Sequence, residues 1–288
     1  MNLVPVVAVA ADRLAGEPPT ALHPVVWMGR YCAWAGRRLD AVTAPGPQVL
    51  AGGAAALAGI VASAAAAVAL RRVLARLPRP LATVTEAAAL STLLSWRMLE
   101  REVLAVERAL DATAAPQPWP ALDATAAPDP QGALAAARRA VAGLVSRDVT
   151  AADAQQVRDA ALESLAENAS DAIVAPLWWY ALGGLPAAAA YRFANTADAM
   201  WGYRTAVWEW RGKAAARADD VANWWPARLT GLLLAPGAGV ARIARTATVT
   251  ASPNAGWPMG ALALLLDVRL RKPGVYTLHP AGRGAGAG

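Results

Sequence analysis

Residues 49–70 read VLAGGAAALAGIVASAAAAVAL, a run of 22 residues without a charged side chain. At about 1.5 Å per residue, a helix of this length reaches roughly 33 Å and can cross a bilayer. Alanine is only weakly apolar, so a buried helix of a soluble protein remains the alternative. Four arginines follow the run directly, namely Arg71, Arg72, Arg76 and Arg79. Such a cluster favours the cytoplasmic side, although arginines before the run weaken the asymmetry.

The composition of the whole chain also favours a membrane protein. Of 288 residues, 56% are hydrophobic and only 17% are charged, which is too apolar for two ordinary soluble domains. The single cysteine, Cys32, excludes an intrachain disulfide framework. The formal net charge is +6, but the arginines are scattered between apolar stretches, so nucleic acid is not an expected partner.

Other apolar stretches extend this prediction. Residues 172–191 carry no charge but contain Pro176, Gly183, Gly184 and Pro186, so this run spans, kinks or re-enters. Residues 86–110 place acids and arginines among apolar residues at helical spacing and predict an amphipathic helix beside the membrane. The predicted fold class is all-α: a polytopic integral membrane protein with several transmembrane or re-entrant helices and an amphipathic juxtamembrane region.

The chain shows one clear internal duplication. The octapeptide ALDATAAP occurs at 109–116 and again at 121–128, which predicts a flexible loop at about 111–131. Residues 281–288 form a Gly-rich tail. The remainder, residues 1–280, is predicted to be one membrane-embedded domain.

Carboxylates beside apolar runs are costly, so their clustering points to a site. In residues 161–176, ALESLAENASDAIVAP, the acids Glu163, Glu167 and Asp171 recur at i, i+4 and i+8, with Asn168 beside them. Like charges at this spacing repel unless an arginine or a metal lies nearby. A Mg²⁺ ion held by a few oxygens and waters would supply that positive charge. An ordinary juxtamembrane helix is the alternative.

Further polar clusters follow in three segments. Asn195 and Asp198 lie in YRFANTADAMWGYR, between Arg192 and Arg204. The segment 215–229, AARADDVANWWPARL, contains alternating basic and acidic groups and an amide: Arg217, Asp219, Asp220, Asn223 and Arg228. Arginines and carboxylates in alternation can bind a phosphate and its metal together, or form a structural salt-bridge network. Asn254 belongs to a turn-like segment, SPNAGWP, at 252–258.

The N-terminal segment 12–30, DRLAGEPPTALHPVVWMGR, contains His23, a candidate general base, or a structural histidine before Pro24. The sequence contains no phosphate-binding loop, dinucleotide fingerprint, Cys or His metal cage, or nucleophile elbow.

These motifs, in this order, resemble the adenosylcobinamide-phosphate synthase family of cobalamin biosynthesis. The resemblance rests on ESLAEN at 163–168, NTADAM at 195–200, ADDVAN at 218–223 and SPNAGW at 252–257. It implies a membrane enzyme, a carbon-nitrogen amide ligase that consumes Mg-ATP. The substrates it implies are adenosylcobyric acid, through a propionate carboxyl, and (R)-1-aminopropan-2-ol or its O-phosphate. One departure is Ala169, where the family commonly has threonine.

Roles for the individual side chains are hypotheses from the chemistry of this reaction. Carboxylates for the metal are Glu167, Asp171, Asp198, Asp219 and Asp220. Substrate-binding candidates are Arg204, Arg217, Arg228, Asn195, Asn223 and Asn254. Catalytic candidates are Glu163, Glu167 and His23.

The expected location is the cell (inner) membrane, with several passes, and the expected partners include the lipid bilayer and other corrinoid-pathway membrane enzymes. Two alternatives remain open. One is a polytopic transporter whose intramembrane acids conduct a cation. The other is a non-catalytic membrane subunit of a corrinoid-assembly complex.

Overall fold

The computed structural model describes residues 2–111 and 130–285, with the side chain of Pro130 left out. The predicted loop at about 111–131 therefore lies almost wholly outside the described residues, as do residues 286–288 of the predicted tail. The described chain is mostly helical. Its helices are α1 (Val4–Ala15), α2 (Pro24–Leu39), α3 (Pro45–Leu74), α4 (Arg79–Ser91), α5 (Trp96–Asp111), α6 (Pro130–Ala142), α7 (Ala154–Ala169), α8 (Ala175–Trp201), α9 (Lys213–Ala222), α10 (Trp224–Leu234), α11 (Val240–Ala247) and α12 (Gly256–Leu266).

A small sheet near the C-terminus contradicts the all-α prediction. Its strands are β1 (Val268–Lys272), β2 (Tyr276–Leu278) and β3 (Arg283–Gly284), in the order β2-β1-β3. Strand β1 pairs antiparallel with β2, with Leu270 opposite Leu278, and parallel with β3. A turn at Gly274, with φ of 72°, closes the hairpin. The physical reason is the alternation within VRLRK, which buries Leu270 between the half-buried Arg269 and the exposed Arg271.

The described chain divides into two compact units. Unit 1 comprises the described residues of Met1–Arg97 and Ala169–Leu229, and unit 2 those of Met98–Asn168 and Thr230–Gly288. Each unit is described by itself below. The single domain predicted for residues 1–280 stays a prediction.

Unit 1 is organised around α3 and α8, which approach each other closely. Gly59 of α3 is the contact point, since a Cβ atom built there would lie 1.8 Å from Cζ of Phe193. Gly52 makes a similar approach, with its Cβ position 1.9 Å from the carbonyl oxygen of Arg211. Ala56 and Ala67 are buried on the same helix. Small residues of this kind let helix backbones come together, as in membrane helix pairs.

Two helical segments are long and apolar enough to cross a membrane. They are Pro45–Leu74, with a mean hydropathy of 2.0 in its most apolar window, and Ala154–Trp201, with 1.3. The first segment is α3, and only 17% of that window is buried within the structure. Exposed leucine and valine side chains, including Leu50, Leu57 and Val61, cover its outer surface. By length and composition alone, these segments are candidate membrane spans.

The second segment is interrupted, as its glycines and prolines predicted. Between α7 and α8 lies a single π-helical turn, Ser170–Val174. Within α8, Gly184 has φ of 70° and ψ of −164°, which breaks the helix just before Pro186. Proline lacks the N–H that the helix would need, and glycine accepts the left-handed backbone. Of the alternatives left open for residues 172–191, which were to span, kink or re-enter, the structure shows a kink.

The single amphipathic helix predicted over residues 86–110 is wrong, because α4 ends at Ser91 and α5 begins at Trp96. The reason is a contact from a distant helix. Oδ2 of Asp12, on α1, accepts hydrogen bonds from the backbone N of Trp96 at 2.9 Å and of Arg97 at 3.3 Å. These are donors that a new helix leaves unpaired at its start. No residue near positions 92–95 indicates in the sequence that the helix breaks there.

Unit 2 has its own apolar cores. One joins α5, α6 and α7 through Val106, Val141 and Val157, all fully buried. Another places α12 against the small sheet, with Met259 packed beside Leu270. The strands thus serve as a cover for the last helix.

Candidate functional site

A cluster of buried and half-buried polar side chains lies inside unit 1. Asp171 comes from the π-helical turn, Asn195 from α8 and Asp219 from α9. Nδ2 of Asn195 lies 3.3 Å from Oδ2 of Asp171 and 3.3 Å from Oδ1 of Asp219. One side-chain amide therefore joins two carboxylates from separate elements. We call these three residues, together with Asn223, the carboxylate–amide cluster.

Asn223 completes the cluster at the end of α9. Its Nδ2 lies 3.0 Å from each carboxylate oxygen of Asp219, one helical turn earlier. Its Oδ1 lies 2.9 Å from the hydroxyl of Tyr191, which in turn lies 3.0 Å from the backbone oxygen of Asp171. Asn223 is only 1% exposed. A buried amide in this position fixes the orientation of the Asp219 carboxylate.

Arg192 brings a positive charge to the cluster. It is buried on α8, and its Nη1 donates to Oδ1 of Asn195 at 3.1 Å. Its Nη2 donates to Oγ of Ser95 at 3.2 Å, while its Nε has no hydrogen-bond partner among the described residues. A buried guanidinium with an unused donor can bind a further oxygen of a phosphate or carboxylate.

The electrostatics of the cluster are visible at Asp219. Burial raises the pKa of this carboxyl to about 6, and the neighbouring carboxylate of Asp220 adds to the rise. Hydrogen bonds from Asn223 and Asn195 and the charge of Arg192 act in the opposite direction. Asp219 is thus ionised at neutral pH but poorly solvated, so its charge attracts a cation that binds beside it more strongly than an exposed carboxylate would.

The predicted metal set fits the structure only in part. Among the described residues, no three or more His, Cys, Asp or Glu side chains form a group that could hold a metal without other ligands. Asp171 and Asp219 are close, through Asn195, whereas Glu167 belongs to unit 2. Mg²⁺ commonly takes one or two carboxylates and completes its shell with water and substrate phosphates. Asp171 and Asp219 suit that mode of binding.

The other two predicted metal ligands have different surroundings. Asp198 lies in the last turn of α8, where its backbone oxygen accepts from the N of Gly202 at 2.6 Å. Asp220 pairs with Arg217 at 3.1 Å, on the outer side of α9.

The predicted phosphate-binding arginines lie nearer the surface. The side chain of Arg217 is 71% exposed. Arg228 stacks over the ring of Trp224 at 4.0 Å and donates to its backbone oxygen at 2.7 Å. Arg204 is exposed in the segment after α8. Of the arginines near the predicted motifs, Arg192 is the one that the structure places inside the cluster.

His23 serves as the N-cap of α2. Its Nδ1 accepts a hydrogen bond from the backbone N of Val25 at 3.2 Å, and its Nε2 is hydrogen-bonded to Glu17. Both ring nitrogens are therefore engaged in positioning the chain. Action as a base would require His23 to leave one of these contacts.

The remaining predicted residues belong to unit 2. Glu163 pairs with Arg147 at 3.0 Å, so an arginine relieves the repulsion that the carboxylate stripe implied. The other carboxylate oxygen of Glu163, Oε1, is buried without a hydrogen-bond partner among the described residues. Asn168 donates to the backbone oxygen of Ser164 at 3.0 Å. Asn254 is buried in the turn before α12.

Comparison with known proteins identifies the family. A family model described as CobD/Cbib protein matches residues 5–286. The chain belongs to the CobD/CbiB family. A probable cobalamin biosynthesis protein CobD of Methanothermobacter thermautotrophicus is 36% identical over 280 residues, which cover 94% of this chain and 84% of that protein. The cobalamin biosynthesis protein CobD of Brucella suis is 35% identical over 284 residues, 93% and 81% of the two chains.

A further member of the CobD/CbiB family is more similar over a shorter stretch. The cobalamin biosynthesis protein CobD of Rhodobacter capsulatus is 50% identical over 148 residues, 50% of this chain and 47% of its own. No solved structure matches the chain. The family is one of cobalamin biosynthesis, as the names of these relatives state.

Sequence reasoning missed two members of the site in this CobD/CbiB chain. Tyr191 and Arg192 lie at the start of a quoted motif, but neither was a site candidate. One available signal was the spacing of Arg192 and Asn195, three residues apart on a helix and therefore on one face. Tyr191 carried no such signal, because a tyrosine inside an apolar run is equally suited to a core.

Proposed function

We propose that this chain is the membrane enzyme of cobalamin biosynthesis that makes adenosylcobinamide or its phosphate. In this reaction, an amide forms between a propionate carboxyl of adenosylcobyric acid and (R)-1-aminopropan-2-ol or its O-phosphate, with consumption of ATP. Membership of the CobD/CbiB family supports the pathway. The observation that carries the proposal is the carboxylate–amide cluster, in which the half-buried Asp171 and the buried Asp219 share one amide, with the buried Arg192 beside it.

The chemistry of amide synthesis explains why such a cluster is useful. A carboxylate is a poor acyl donor, so its oxygen first attacks the γ-phosphorus of ATP and releases ADP. The amine then attacks the acyl phosphate and displaces phosphate. Negative charge builds on the phosphoryl oxygens in the first step, and on the acyl oxygen and the departing phosphate in the second, and fixed positive groups lower both barriers. Bound Mg²⁺ would neutralise the charge of the ATP phosphates.

Four side chains in and beside the cluster have proposed tasks. Asp171 and Asp219 would hold Mg²⁺, and Asn195 keeps both carboxylates in place through one amide. Arg192 would direct its unpaired Nε–H toward a phosphoryl oxygen. The base that takes the proton of the amine stays a prediction among Glu163, Glu167 and His23.

The proposed location is the cell (inner) membrane, with more than one pass. Two candidate spans support this placement, and the exposed apolar surface of α3 suits contact with lipid tails. Proposed partners are the bilayer, the two substrates and other membrane enzymes of the corrinoid pathway.

The test is an amide-forming assay on purified, detergent-solubilised protein. Adenosylcobyric acid is mixed with equal amounts of aminopropanol and aminopropanol phosphate, with and without Mg-ATP, and the products are identified by mass spectrometry. A product that requires Mg-ATP supports the synthase, and its mass identifies the preferred amine. If folded protein forms no product under either condition, the synthase assignment is refuted.

A matched pair of variants tests the cluster itself. Asp219→Asn removes a buried carboxylate, whereas Asp40→Asn removes an exposed carboxylate of the same unit that pairs with Arg211. We expect the first to lose at least about 100-fold in turnover and the second to stay within about threefold, since charge stabilisation by one fixed group is worth this much. Equal activity of the two variants would remove Asp219 from the mechanism.

A further inference from the structure

Unit 1 contains an apolar cavity of about 450 Å³ that the proposed chemistry does not use. Helices α2, α3 and α8 line it, together with the end of α4. Trp27, Ala62 and Ala66 belong to the lining and are exposed, so the cavity opens to the surface of the unit. Its volume falls within the range of natural ligand pockets.

The cavity is an elongated groove. On α3 its lining extends from Gly59 to Leu70, which at 1.5 Å per residue is about 16 Å. On α8 the lining extends from Leu185 to Phe193, and Phe193 lies against Gly59. The two helices thus border the groove along its length. Since a bilayer has a hydrocarbon core of about 30 Å, the groove is as long as one leaflet is deep.

The lining offers little to a polar ligand. The hydroxyl of Tyr31 donates to the backbone oxygen of Ala55 at 2.9 Å, and that of Thr92 donates to Ala89 at 2.8 Å. Both hydroxyls therefore already have acceptors, and Ser63 supplies the one other hydroxyl among the described residues of the lining. A corrinoid rich in amides, or a nucleotide, would lose hydrogen bonds to water here without replacement. A hydrocarbon chain loses none.

Basic residues follow the last lining residue of α3 along the chain. Leu70, the last lining residue of α3, is followed directly by Arg71 and Arg72, with Arg76 in the next turn. Arg71 pairs with Glu86 at 3.3 Å. Arg72 and Arg76 are exposed, and no salt bridge joins them to an acid in the part of the chain that the structure describes. Arginines at the depth of a leaflet's head groups attract anionic phosphate.

We propose that this groove binds one acidic phospholipid, with an acyl chain between α3 and α8 and its head-group phosphate on Arg72 and Arg76. The length of the groove, its apolar lining and its basic end all match that one ligand. The inference rests on the proposed membrane placement and not on amide synthesis. It predicts a lipid that stays with the protein when the surrounding bilayer is removed.

The experiment uses the full chain reconstituted into vesicles of equal parts phosphatidylglycerol and phosphatidylcholine. The protein is extracted with mild detergent, and retained lipid is counted by native mass spectrometry. Ala66→Trp places an indole in the groove, whereas Ala65→Trp places one on the exposed surface beside it, outside the lining. We expect about one phosphatidylglycerol on the wild type and on Ala65→Trp, and at least about tenfold less on Ala66→Trp.

A double variant tests the head group. Arg72→Gln with Arg76→Gln should retain a lipid but lose the preference for phosphatidylglycerol over phosphatidylcholine. Equal retention by Ala65→Trp and Ala66→Trp would overturn the groove as the site. Equal amounts of both lipids on the wild type would overturn the acidic head group. If the protein does not float with vesicles in a density gradient, both the membrane placement and this inference are refuted. The amide-forming assay tests the proposed enzymatic function independently of that result.

Discussion

The contact between Gly59 and Phe193 gives a quantitative test of how α3 and α8 pack. In Gly59→Ala the new Cβ would lie 1.8 Å from Cζ and 2.3 Å from Cε1 of Phe193. Carbon atoms in normal contact stand about 3.5–4.0 Å apart, so ring or helix must move by roughly 2 Å. Phe193 is only 2% exposed and its ring packs edge-on against Tyr31, which leaves it little room.

Two opposing terms set the size of the effect. Overpacking of a buried contact costs about 1–3 kcal/mol, and this clash belongs at the upper end. Replacing a helical glycine by alanine gains up to about 1 kcal/mol through propensity. The net loss in the free energy of unfolding should be about 2 kcal/mol. Gly46→Ala, in the first turn of the same helix and with nothing beyond its chain neighbours within 4 Å of its Cβ position, adds a methyl group without this clash and serves as the control.

The assay is denaturant unfolding of the detergent-solubilised chain, with Phe193→Leu and the double variant included. If the clash is the cause, the smaller side chain relieves it, and the double variant should be more stable than the sum of the single effects by about 1–2 kcal/mol. Strict additivity, or a Gly59→Ala variant as stable as Gly46→Ala, would refute the predicted packing. Amide synthesis should fall with stability, because Phe193 adjoins the site residue Arg192 on α8.

Three further predictions concern buried carboxylates. Asp12→Ala should destabilise the start of α5 by about 1–2 kcal/mol, which faster hydrogen exchange of the first amides of α5 would show. Asp12→Asn keeps a hydrogen-bond acceptor, so its loss of stability should be smaller. Burial raises the pKa of Asp219 to about 6. The free energy of unfolding of the metal-free wild type should therefore fall by up to about 3 kcal/mol as pH rises from about 4 to 6, and that of Asp219→Asn should not. Parallel pH profiles of the two proteins would contradict this. Arg147→Gln should lower the free energy of unfolding by about 2 kcal/mol because it leaves the buried carboxylate of Glu163 without a counter-charge, while Arg158→Gln, at the more exposed pair with Glu107, should lower it by less than about 1 kcal/mol.

The features of the fold that the sequence predicted are those with a local cause. Apolar length predicts α3, and the Gly184–Pro186 combination predicts the kink in α8, because each depends on residues within a few positions. The break between α4 and α5 has a distant cause, the carboxylate of Asp12 on another helix. The strands near the C-terminus are short, and five residues of alternation do not stand out beside the long apolar runs of this chain.

The candidate site also has features with a local cause, which the sequence predicted, and features with a distant cause, which it did not. Asp171, Asn195, Asp219 and Asn223 were predicted as site residues, since carboxylates and amides among apolar residues are costly unless they serve a purpose. The structure joins these four through the side-chain amides. The sequence could not predict that Arg147 pairs with Glu163, because the two lie on separate elements. A stripe of carboxylates on one helix does not reveal which of them a distant arginine neutralises.

The hydrogen bonds of Asp219 favour a functional over a structural reason for its burial. Asn195 and Asn223 direct amide donors at its two oxygens, which favours the ionised form. Burial nevertheless raises its pKa to about 6, so the donors do not compensate the lost hydration. A structural role would be served better by an apolar or neutral side chain, since an incompletely compensated buried charge lowers stability. A positive group bound beside Asp219 would offset this cost, and Asp219→Asn should gain stability at neutral pH while it loses activity.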